Sequence, residues 1–422
     1  MRIGVYGGAY LGCVISACLA DFGMPVTCFD DNAERLTSVA QGKLPFFERN
    51  LEEVVRRNVR AGRLIYSTDT PQTAAKSQIV YLAVDFSDEI EDLAARIAGS
   101  MSRGSVLVIA TPVPVGTARR IESRLQGGTN KVTVVSQPLF LTDGCAIEDF
   151  NWPDRILLGT NSTDAVAMLK HIYRPLVMRG VPVIVASHET AELAREASTA
   201  FLATKISFIN ELASLCEHVN ADAVDLALAL GLDKRIAPRC LQPGAGFGGA
   251  FAEADMDSLA ELAANSGVSL RILEAAREVN RELSDRIAEK INVAVQSLPG
   301  KELGILGLSF KPNTNSTAAS SSILLAHNLL ARGAKVRAYD PVAMNEAKRN
   351  MDERVRYCSS AYAAAEGADA LVVSTGWPEF RALDFEKIKR LLKRPIIVDT
   401  KNLLDSVRLR SMGYQYVGVG RN

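Results

Sequence analysis

Short apolar runs alternate with amphipathic stretches over residues 1–185, and this alternation constrains the fold more than any other feature of the chain. Each run is strand-sized, and none approaches the roughly 18–20 apolar residues that span a bilayer. Apolar strands separated by helical stretches are typical of βαβ units around a mainly parallel sheet covered on both faces. The predicted strands are Ile3–Tyr6, Val26–Phe29, Ile79–Val84, Val106–Ala110, Val132–Ser136, Ile156–Leu158 and Pro182–Ala186.

The segment Glu189–Val219 contains no Gly or Pro and places apolar side chains at helical spacing. It predicts one helix of about eight turns, which is too long for one small domain to cover. We therefore expect this helix to be a spine between domains and the contact surface of a homodimer. Further helices are predicted at Ala221–Leu230, Asp255–Ser266 and Leu270–Leu298, with a glycine-rich loop at Pro243–Gly249.

The strand and helix alternation returns after Pro299-Gly300, and the two ends of the chain resemble each other. In Gly23–Asp30 and in Gly333–Asp340 a helix ends at Gly, a strand follows, and an Asp stands at the carboxyl end of the strand. We predict an α/β fold with two Rossmann-like doubly wound domains, 1–188 and 299–422, joined by a helical segment, 189–298. The later elements are strands at Leu303–Leu308, Val336–Tyr339, Ala370–Ser374 and Ile396–Asp399, and a helix from Ala318 to Arg332.

A glycine-rich turn follows the first predicted strand and opens a helix, and Asp30 lies 18 positions beyond its last glycine. This is the setting of a dinucleotide-binding fingerprint, in which the helix N-terminus faces the pyrophosphate and the carboxylate binds the adenosine ribose. A carboxylate repels a 2′-phosphate, so the pattern favours NAD over NADP. The middle glycine is replaced by Ala9, and a doubly wound turn that binds no dinucleotide is the alternative. The predicted cofactor residues are Gly7, Gly8, Ala9, Tyr10, Leu11, Gly12 and Asp30.

Composition narrows the classes of partner. Lys plus Arg and Asp plus Glu each number 48, so the formal net charge is zero and favours neither nucleic acid nor an anionic membrane. The seven cysteines are scattered without a Cys-x-x-Cys pair, and the four histidines lie far apart, so neither a disulfide framework nor a metal site is expected. These features predict a cytoplasmic protein. The first twenty residues superficially mimic a signal peptide, but four glycines in the first twelve positions favour strand, turn and helix.

Several motifs in this order resemble those of the NAD-dependent UDP-glucose/GDP-mannose 6-dehydrogenases, over nearly the whole chain. The resemblance implies an NAD domain, a dimer through the central helix, and a C-terminal domain that holds the nucleotide of a sugar nucleotide. Besides the N-terminal fingerprint, the motifs are Pro114-Val115-Gly116-Thr117, Pro153-Asp154-Arg155, Phe201–Glu211, Gly246-Phe247-Gly248-Gly249, Gly307–Pro312 and Tyr339-Asp340-Pro341.

The residues that carry the chemistry of this family are mostly replaced. A member oxidises a primary alcohol twice, through a thioester on the cysteine of Gly-Gly-Ser-Cys-Phe-Pro-Lys-Asp. Here Phe251 stands at the cysteine and Ala254 at the lysine, and only Asp255 is kept. The glutamate of Asn-Pro-Glu-Phe-Leu is Leu139. A phenyl ring forms no thioester, so this route is closed.

Other family positions have changed as well. The lysine of the long helix is Arg195 and the asparagine one turn later is Thr199. Arg cannot act as a base, although it can hold an alkoxide or a phosphate. The Ser-Thr before Val-Pro-Val-Gly-Thr reads Thr111-Pro112, and Asp-Asp-x-Arg-x-Ser reads Asn315–Ser320.

The remaining positions favour binding. Small residues admit a diphosphate and a guanidinium can bind it in bidentate fashion, although a flexible connector is the alternative for the glycine loop. Lys401 is assigned to the cofactor. The predicted substrate residues are Arg239, Gly246, Phe247, Gly248, Phe310, Lys311, Lys205 and Asn210, and the candidate catalytic groups are Asp255, Arg195, Asp143 and Glu192. For each carboxylate, a surface or capping role is the alternative, and for Lys311 the alternative is a solvated strand end.

Three functions fit these observations. The first is a single two-electron oxidation of a UDP- or GDP-sugar, as in enzymes that resemble this family and act on GDP-octoses in lincosamide-type antibiotic pathways. The second is a pseudoenzyme that binds a nucleotide or a partner without turnover. The third is a two-step dehydrogenase with relocated chemistry.

Overall fold

The computed structural model describes residues 1–84, 89–128 and 130–421, and the backbone divides into two compact units, Met1–Ala197 and Ser198–Asn422. The first unit is an α/β sandwich, as predicted. Its elements are β1 (Ile3–Tyr6), α1 (Tyr10–Asp21), β2 (Val26–Phe29), α2 (Ala33–Ala40), α3 (Leu51–Arg60), β3 (Leu64–Ser67), α4 (Thr70–Lys76), β4 (Ile79–Leu82), α5 (Ile90–Ser100), β5 (Val106–Ile109), α6 (Thr117–Leu125), β6 (Thr133–Ser136), α7 (Ala146–Asn151), β7 (Ile156–Gly159), α8 (Thr163–Ile172), α9 (Arg174–Val177) and β8 (Val183–Ala186).

The strands of this unit form one sheet in the order β3-β2-β1-β4-β5-β6-β7-β8, which is parallel except where β6 meets β7. Alternate residues of each central strand enter two different cores, because successive side chains point to opposite faces of a sheet. Ile79 and Tyr81 join one core, and Val80 and Leu82 join the other. Helices therefore cover both faces, which explains why the central strands read as continuous apolar runs.

The predicted long helix is α10 (His188–Val219). The elements that follow it are α11 (Ala223–Gly231), α12 (Ala250–Asn265), α13 (Arg271–Val295), β9 (Glu302–Leu306), α14 (Ser321–Ala331), β10 (Lys335–Tyr339), α15 (Met344–Asn350), β11 (Arg356–Tyr357), α16 (Ala361–Ala365), β12 (Ala370–Val373), α17 (Pro378–Arg381), α18 (Phe385–Leu391), β13 (Ile396–Asp399), α19 (Ser406–Ser411) and β14 (Gln415–Gly418). The strands form a parallel sheet in the order β11-β10-β9-β12-β13-β14. With β3-β2-β1-β4-β5-β6 in the first unit, this is the same doubly wound order.

The resemblance between the chain ends is confirmed in the backbone. Gly7 N donates to Phe29 O at 2.9 Å, and Gly307 N donates to Tyr339 O at 2.8 Å. The next N–H in each unit donates to the Asp that ends the second strand, since Gly8 N lies 2.6 Å from Asp30 Oδ2 and Leu308 N lies 2.8 Å from Asp340 Oδ2. The short sequence match therefore reflects a shared turn.

The structure corrects two sequence-based expectations. The edge strands β3, β11 and β14 were not predicted. Each contains a polar or charged residue, whereas the edge strand β8 is wholly apolar and was predicted, although Ile184 is 45% exposed. Helix α12 begins at Ala250, not at Asp255. The residues before Asp255 are mostly alanine, the best helix former, and the chain enters the helix directly from Gly249.

Candidate cofactor and substrate sites

The turn after β1 is shaped as a dinucleotide site requires. At Gly12 an added Cβ would lie 1.8 Å from Gly7 O, so only glycine lets α1 pass this close to the turn. Ala9 is the N-cap of α1 with φ −89°, an ordinary angle for alanine, and it is half-buried. Among the described residues, no side chain caps this helix end. Its N–H groups therefore fit a pyrophosphate, with Tyr10 and Leu11 opening the helix.

Asp30 lies beside this turn, where a carboxylate that binds the adenosine ribose is expected. Its Oδ2 accepts from Gly8 N and its Oδ1 accepts from Asn32 N at 2.9 Å, and Arg35 approaches Oδ2 at 3.3 Å. The matching carboxylate of the second unit is saturated, since Asp340 accepts from Ser309 and Trp377 as well as from four backbone N–H groups. The acceptor capacity that a ribose needs is therefore found in the first unit.

Two predicted catalytic carboxylates also lie in the first unit, in different surroundings. Asp143 is half-buried in the connection between β6 and α7. Glu192 is 3% exposed and accepts from Gly116 N at 2.6 Å and Ala118 N at 2.8 Å, at the start of α6. The structure thus gives Glu192 the capping role that was the alternative to acid–base chemistry, and it anchors the Pro114–Thr117 motif.

Three asparagines hold the glycine-rich loop of the second unit. Asn210 Oδ1 accepts from Gly244 N at 2.8 Å, and Asn402 Nδ2 donates to Pro243 O at 3.3 Å. Asn280 Oδ1 accepts from Phe247 N at 2.9 Å, and its Nδ2 donates to Phe247 O at 3.2 Å. Asn210 was predicted, whereas Asn280 and Asn402 were missed. Their sequence surroundings are an ordinary helix and an ordinary turn, so no local signal marked them.

The loop is tightly packed where these amides grip it. Gly246 has φ +86°, and a Cβ there would lie 2.2 Å from Asn280 Oδ1, so both the backbone angle and the close approach require glycine. Gly248 lies against the carbonyl of Ala319, and the ring of Phe310 lies against Gly249. A cavity of about 470 Å³ opens beside Phe247, within the size range of small-molecule sites. The flexible-connector alternative for this loop therefore does not fit.

The predicted cations of this unit have distinct placements. Lys311 Nζ lies 5.6 Å from the centre of the Phe310 ring, and Arg239 is exposed. Lys205 donates to Ile236 O at 2.9 Å and Ala237 O at 3.1 Å, so it supports the segment that leads to Arg239. Lys401, which was assigned to the cofactor, lies in the second unit beside Gly244. Burial lowers its pKa to about 8, and Asp399 opposes that shift.

The retained carboxylate Asp255 is one turn inside α12 and 5% exposed, and Thr199 Oγ1 donates to its Oδ2 at 2.8 Å. Arg195 is half-buried and lies four residues before Thr199 on α10, which places both on one face of that helix. Phe251, in the first turn of α12, is 44% exposed. The structure thus pairs Thr199 with Asp255 and leaves a phenyl ring, not a thiol, on the first turn.

Known families match the chain in three consecutive stretches. Models of the UDP-glucose/GDP-mannose dehydrogenase family match residues 1–177 as its NAD binding domain, 189–282 as its central domain and 304–406 as its UDP binding domain. A UDP-glucose 6-dehydrogenase of Rhizobium meliloti is 38% identical over 100% of both chains. One of Bacillus subtilis is 37% identical over 100% of this chain and 93% of its own.

A solved UDP-glucose dehydrogenase of Pyrobaculum islandicum has the same fold. It superposes with a TM-score of 0.89 and 29% identity, covering 100% of this chain and 98% of its own. These matches confirm the predicted fold class and NAD as the cofactor. Among the described residues, no helix is both long and apolar enough to cross a bilayer, and no three His, Cys, Asp or Glu side chains gather as a metal site would need.

Removal of the Asp30 carboxylate should weaken NAD binding and relax the preference for NAD(H) over NADP(H). Asp30→Ala is expected to cost about 1–3 kcal/mol of NADH binding free energy, because a charged hydrogen-bond acceptor is lost. Calorimetry or NADH fluorescence measures this, with Glu34→Ala, an exposed carboxylate on α2, as the control. Equal binding of NADP(H) by the wild type would contradict the assignment.

Glu192 should make folding stability fall with rising pH. Burial raises its pKa to about 7, although the two N–H donors oppose this. A carboxyl with a higher pKa in the folded state holds its proton more tightly there, so stability is lost as pH rises from its ordinary range through about 7. Glu192→Gln should flatten the pH dependence of the unfolding free energy between about pH 5 and 7.5.

Glu189→Gln is the control for this measurement by chemical denaturation. Arg119 lowers the pKa of Glu189 to about 2, so its contribution is lost only as pH falls below the ordinary range. An unchanged slope in Glu192→Gln would show that Glu192 is ionised throughout this window.

Proposed function

Because the chain belongs to the UDP-glucose/GDP-mannose dehydrogenase family, a family of NAD-dependent nucleotide-sugar dehydrogenases, we propose that it oxidises an alcohol of a UDP- or GDP-sugar once. The product is a ketone or an aldehyde, without the thioester step. Two features of α12 carry this proposal. Its first turn bears the exposed Phe251 at the position of the family cysteine, and its Asp255 accepts a hydrogen bond from Thr199 of α10. The site keeps a proton acceptor and lacks the nucleophile.

The chain's own residues then handle the proton. The hydroxyl of Thr199 holds one oxygen of the Asp255 carboxylate, which fixes its orientation. Asp255 takes the proton of the sugar hydroxyl as general base, and Arg195 stabilises the developing alkoxide. NAD, when bound, supplies the acceptor for the hydride. Loss of one proton and one hydride converts the alcohol to a carbonyl, and a ketone has no hydrogen left for a second oxidation.

A thioester relocated to another cysteine is disfavoured, because the thiol nearest in sequence to the glycine-rich loop is a poor nucleophile. Cys240 precedes this loop, and burial raises the pKa of its thiol above the ordinary value, although Lys205 and Arg239 act in the other direction. The nucleophile in such a step is the thiolate, so a thiol held in its protonated form is a poor candidate. Cys145, exposed in the first unit, is the other thiol that an adduct search must cover.

The nucleotide part of the substrate belongs in the second unit. The UDP binding domain model covers Phe310, Lys311 and Lys401, and the loop held by three asparagines offers backbone N–H groups to a diphosphate. Arg239, Gly246, Phe247, Gly248, Lys205 and Asn210 complete this proposed site. A GDP-octose of an antibiotic pathway remains one candidate substrate, and the predicted cytoplasmic location also remains a prediction.

The proposed assembly is a homodimer through α10. Apolar side chains on this helix are left exposed, with Phe201 at 67%, Phe208 at 51% and Leu215 at 55%. Such a stripe needs a partner, because burial of apolar area drives association. Sedimentation should show a dimer at micromolar concentration, and Phe208→Glu should shift it toward monomer. Val407→Glu, at a 76% exposed apolar site on α19, should leave the dimer unchanged.

Turnover with a panel of UDP- and GDP-sugars tests the proposed reaction. One NADH should form per sugar, the product should react with a carbonyl reagent, and no uronic acid should appear. Asp255→Asn should lower kcat by about 10²–10⁴-fold, because the general base is lost. Cys145→Ser and Cys240→Ser are expected to retain activity.

Other outcomes of this assay are equally decisive. Two NADH per sugar, or a sugar adduct on either cysteine, would establish the relocated two-step chemistry. Binding of NADH and of a nucleotide without turnover of any sugar would favour the pseudoenzyme.

Phe251→Cys alone should not restore 6-dehydrogenase activity. A lone thiol between Ala250 and Ala252 gains no cation from Ala254, so its pKa stays near normal, and residues that act as a unit fail non-additively. The assay is formation of UDP-glucuronate or GDP-mannuronate. The comparison is the set Phe251→Cys, Leu139→Glu, Arg195→Lys, Thr199→Asn and Ala254→Lys. Strong activity in the single variant would show that only the nucleophile has been lost.

A further inference from the structure

Glu48 is a buried carboxylate outside every site described so far. It lies in the connection between α2 and α3 and is 5% exposed. Three donors converge on its two oxygens. Tyr10 Oη donates to Oε2 at 2.7 Å, Gly144 N donates to the same oxygen at 2.6 Å, and Ala146 N donates to Oε1 at 2.9 Å. Buried polar groups are normally hydrogen-bonded, so the three donors account for the burial of this carboxylate. The segments that carry the donors indicate what the carboxylate does.

The donors come from two segments that both bear on function. Tyr10 is the first residue of α1, at the helix end that fits the pyrophosphate. Gly144 directly follows Asp143, one of the candidate catalytic carboxylates, and Ala146 begins α7. One side chain thus joins the cofactor turn to the turn that carries Asp143, and each segment is more than thirty residues away from it in sequence.

Electrostatics hold the Tyr10 hydroxyl in its protonated form. Burial raises the pKa of the Tyr10 hydroxyl far above its usual range, and the charges of Glu48 and Asp143 raise it further. Tyr10 therefore remains a donor at every physiological pH. On the acceptor side, burial raises the pKa of Glu48, whereas the hydrogen bonds from Tyr10, Gly144 N and Ala146 N lower it, because each of these donors favours the charged carboxylate.

We propose that Glu48 is a positioning residue that sets the first residue of α1 and the Asp143 turn in fixed relation, and thereby tunes NAD(H) binding. Its carboxylate does not touch the reacting atoms; it acts through Tyr10 and through the backbone of Gly144 and Ala146. The part that concerns NAD(H) depends only on the fold of the first unit and on NAD as its cofactor. The part that concerns Asp143 as a catalytic group rests on the proposed function.

A double-mutant cycle in NADH affinity tests the link. Glu48→Gln keeps the shape of the side chain but turns an amide NH₂ toward donors, and Tyr10→Phe removes only the hydroxyl. Each should weaken NADH binding by about five- to twentyfold, which spans the upper range for an ordinary hydrogen bond and the lower range for one to a charged group. The double variant should bind no more weakly than the poorer single one, since both break the same contact.

Glu52→Gln is the matched control, because this carboxylate is exposed on α3 and pairs only with Arg56 among the contacts of the described residues. Its NADH affinity should stay within about twofold of wild type. Additive effects of the two singles would overturn the link. So would a Glu48→Gln protein that unfolds more easily but binds NADH as wild type does, since Glu48 would then be only structural.

Tyr10→Phe keeps the proposal testable if Glu48→Gln does not fold, because an unchanged NADH affinity in that variant overturns it. Where a sugar is turned over, Glu48→Gln should also shift the acid limb of the kcat pH profile, and an unshifted limb removes the Asp143 part. If the wild type turns over no sugar, the proposed function fails, while the NADH cycle still decides whether Glu48 positions the cofactor turn.

Discussion

A backbone N–H that donates to a carboxylate at the end of the neighbouring strand fixes the first turn of both α/β units. In the first unit Gly8 N meets Asp30 at 2.6 Å, and in the second Leu308 N meets Asp340 at 2.8 Å. Because the carboxylate must end the second strand, this contact sets where the strand stops and how the turn leaves the sheet. The same contact has a different role in each unit. In the first unit the carboxylate keeps capacity for a ribose, whereas Trp377 and Ser309 fill the equivalent capacity in the second, which leaves that turn a structural element.

The parts of the fold that could be predicted are those with a strong local pattern. Strands buried on both faces are continuous apolar runs, and a helix of 32 residues without Gly or Pro shows a long periodic stripe, so both were predicted within a few residues. The cofactor turn was predicted because its residues are close in sequence. The edge strands β3, β11 and β14 were missed because polar or charged residues interrupt their apolar runs, whereas the wholly apolar edge strand β8 was predicted. The start of α12 was missed because a glycine loop and an alanine-rich first turn do not differ at a sharp boundary.

The candidate sites were less predictable, because long-range contacts decide them. Asn280 accepts a hydrogen bond from Phe247, which is 33 residues away in sequence, and Glu48 accepts one from Gly144, which is 96 residues away. Neither residue stands out in its own segment, since an asparagine in a long helix and a glutamate in a loop are both usually solvated. For Glu192 the sequence left both acid–base chemistry and a capping role open. Its type and position suggested chemistry, but two backbone N–H groups at the start of α6 claim its oxygens. A carboxylate becomes a candidate base only after the donors around it are known.

The residues at the replaced family positions fit their surroundings in the structure, and this fit supports the proposed change of reaction. Leu139, at the position of the family glutamate, packs against the hydrophobic core of the first unit. A glutamate there would give up apolar contacts and bring a charge toward that core, at a cost that an isolated reversion does not repay. On α12 the residues around Phe251 are alanines, and Asp255 has found a hydroxyl partner in Thr199. The kept carboxylate and its hydroxyl partner are the arrangement on which the proposed single oxidation rests.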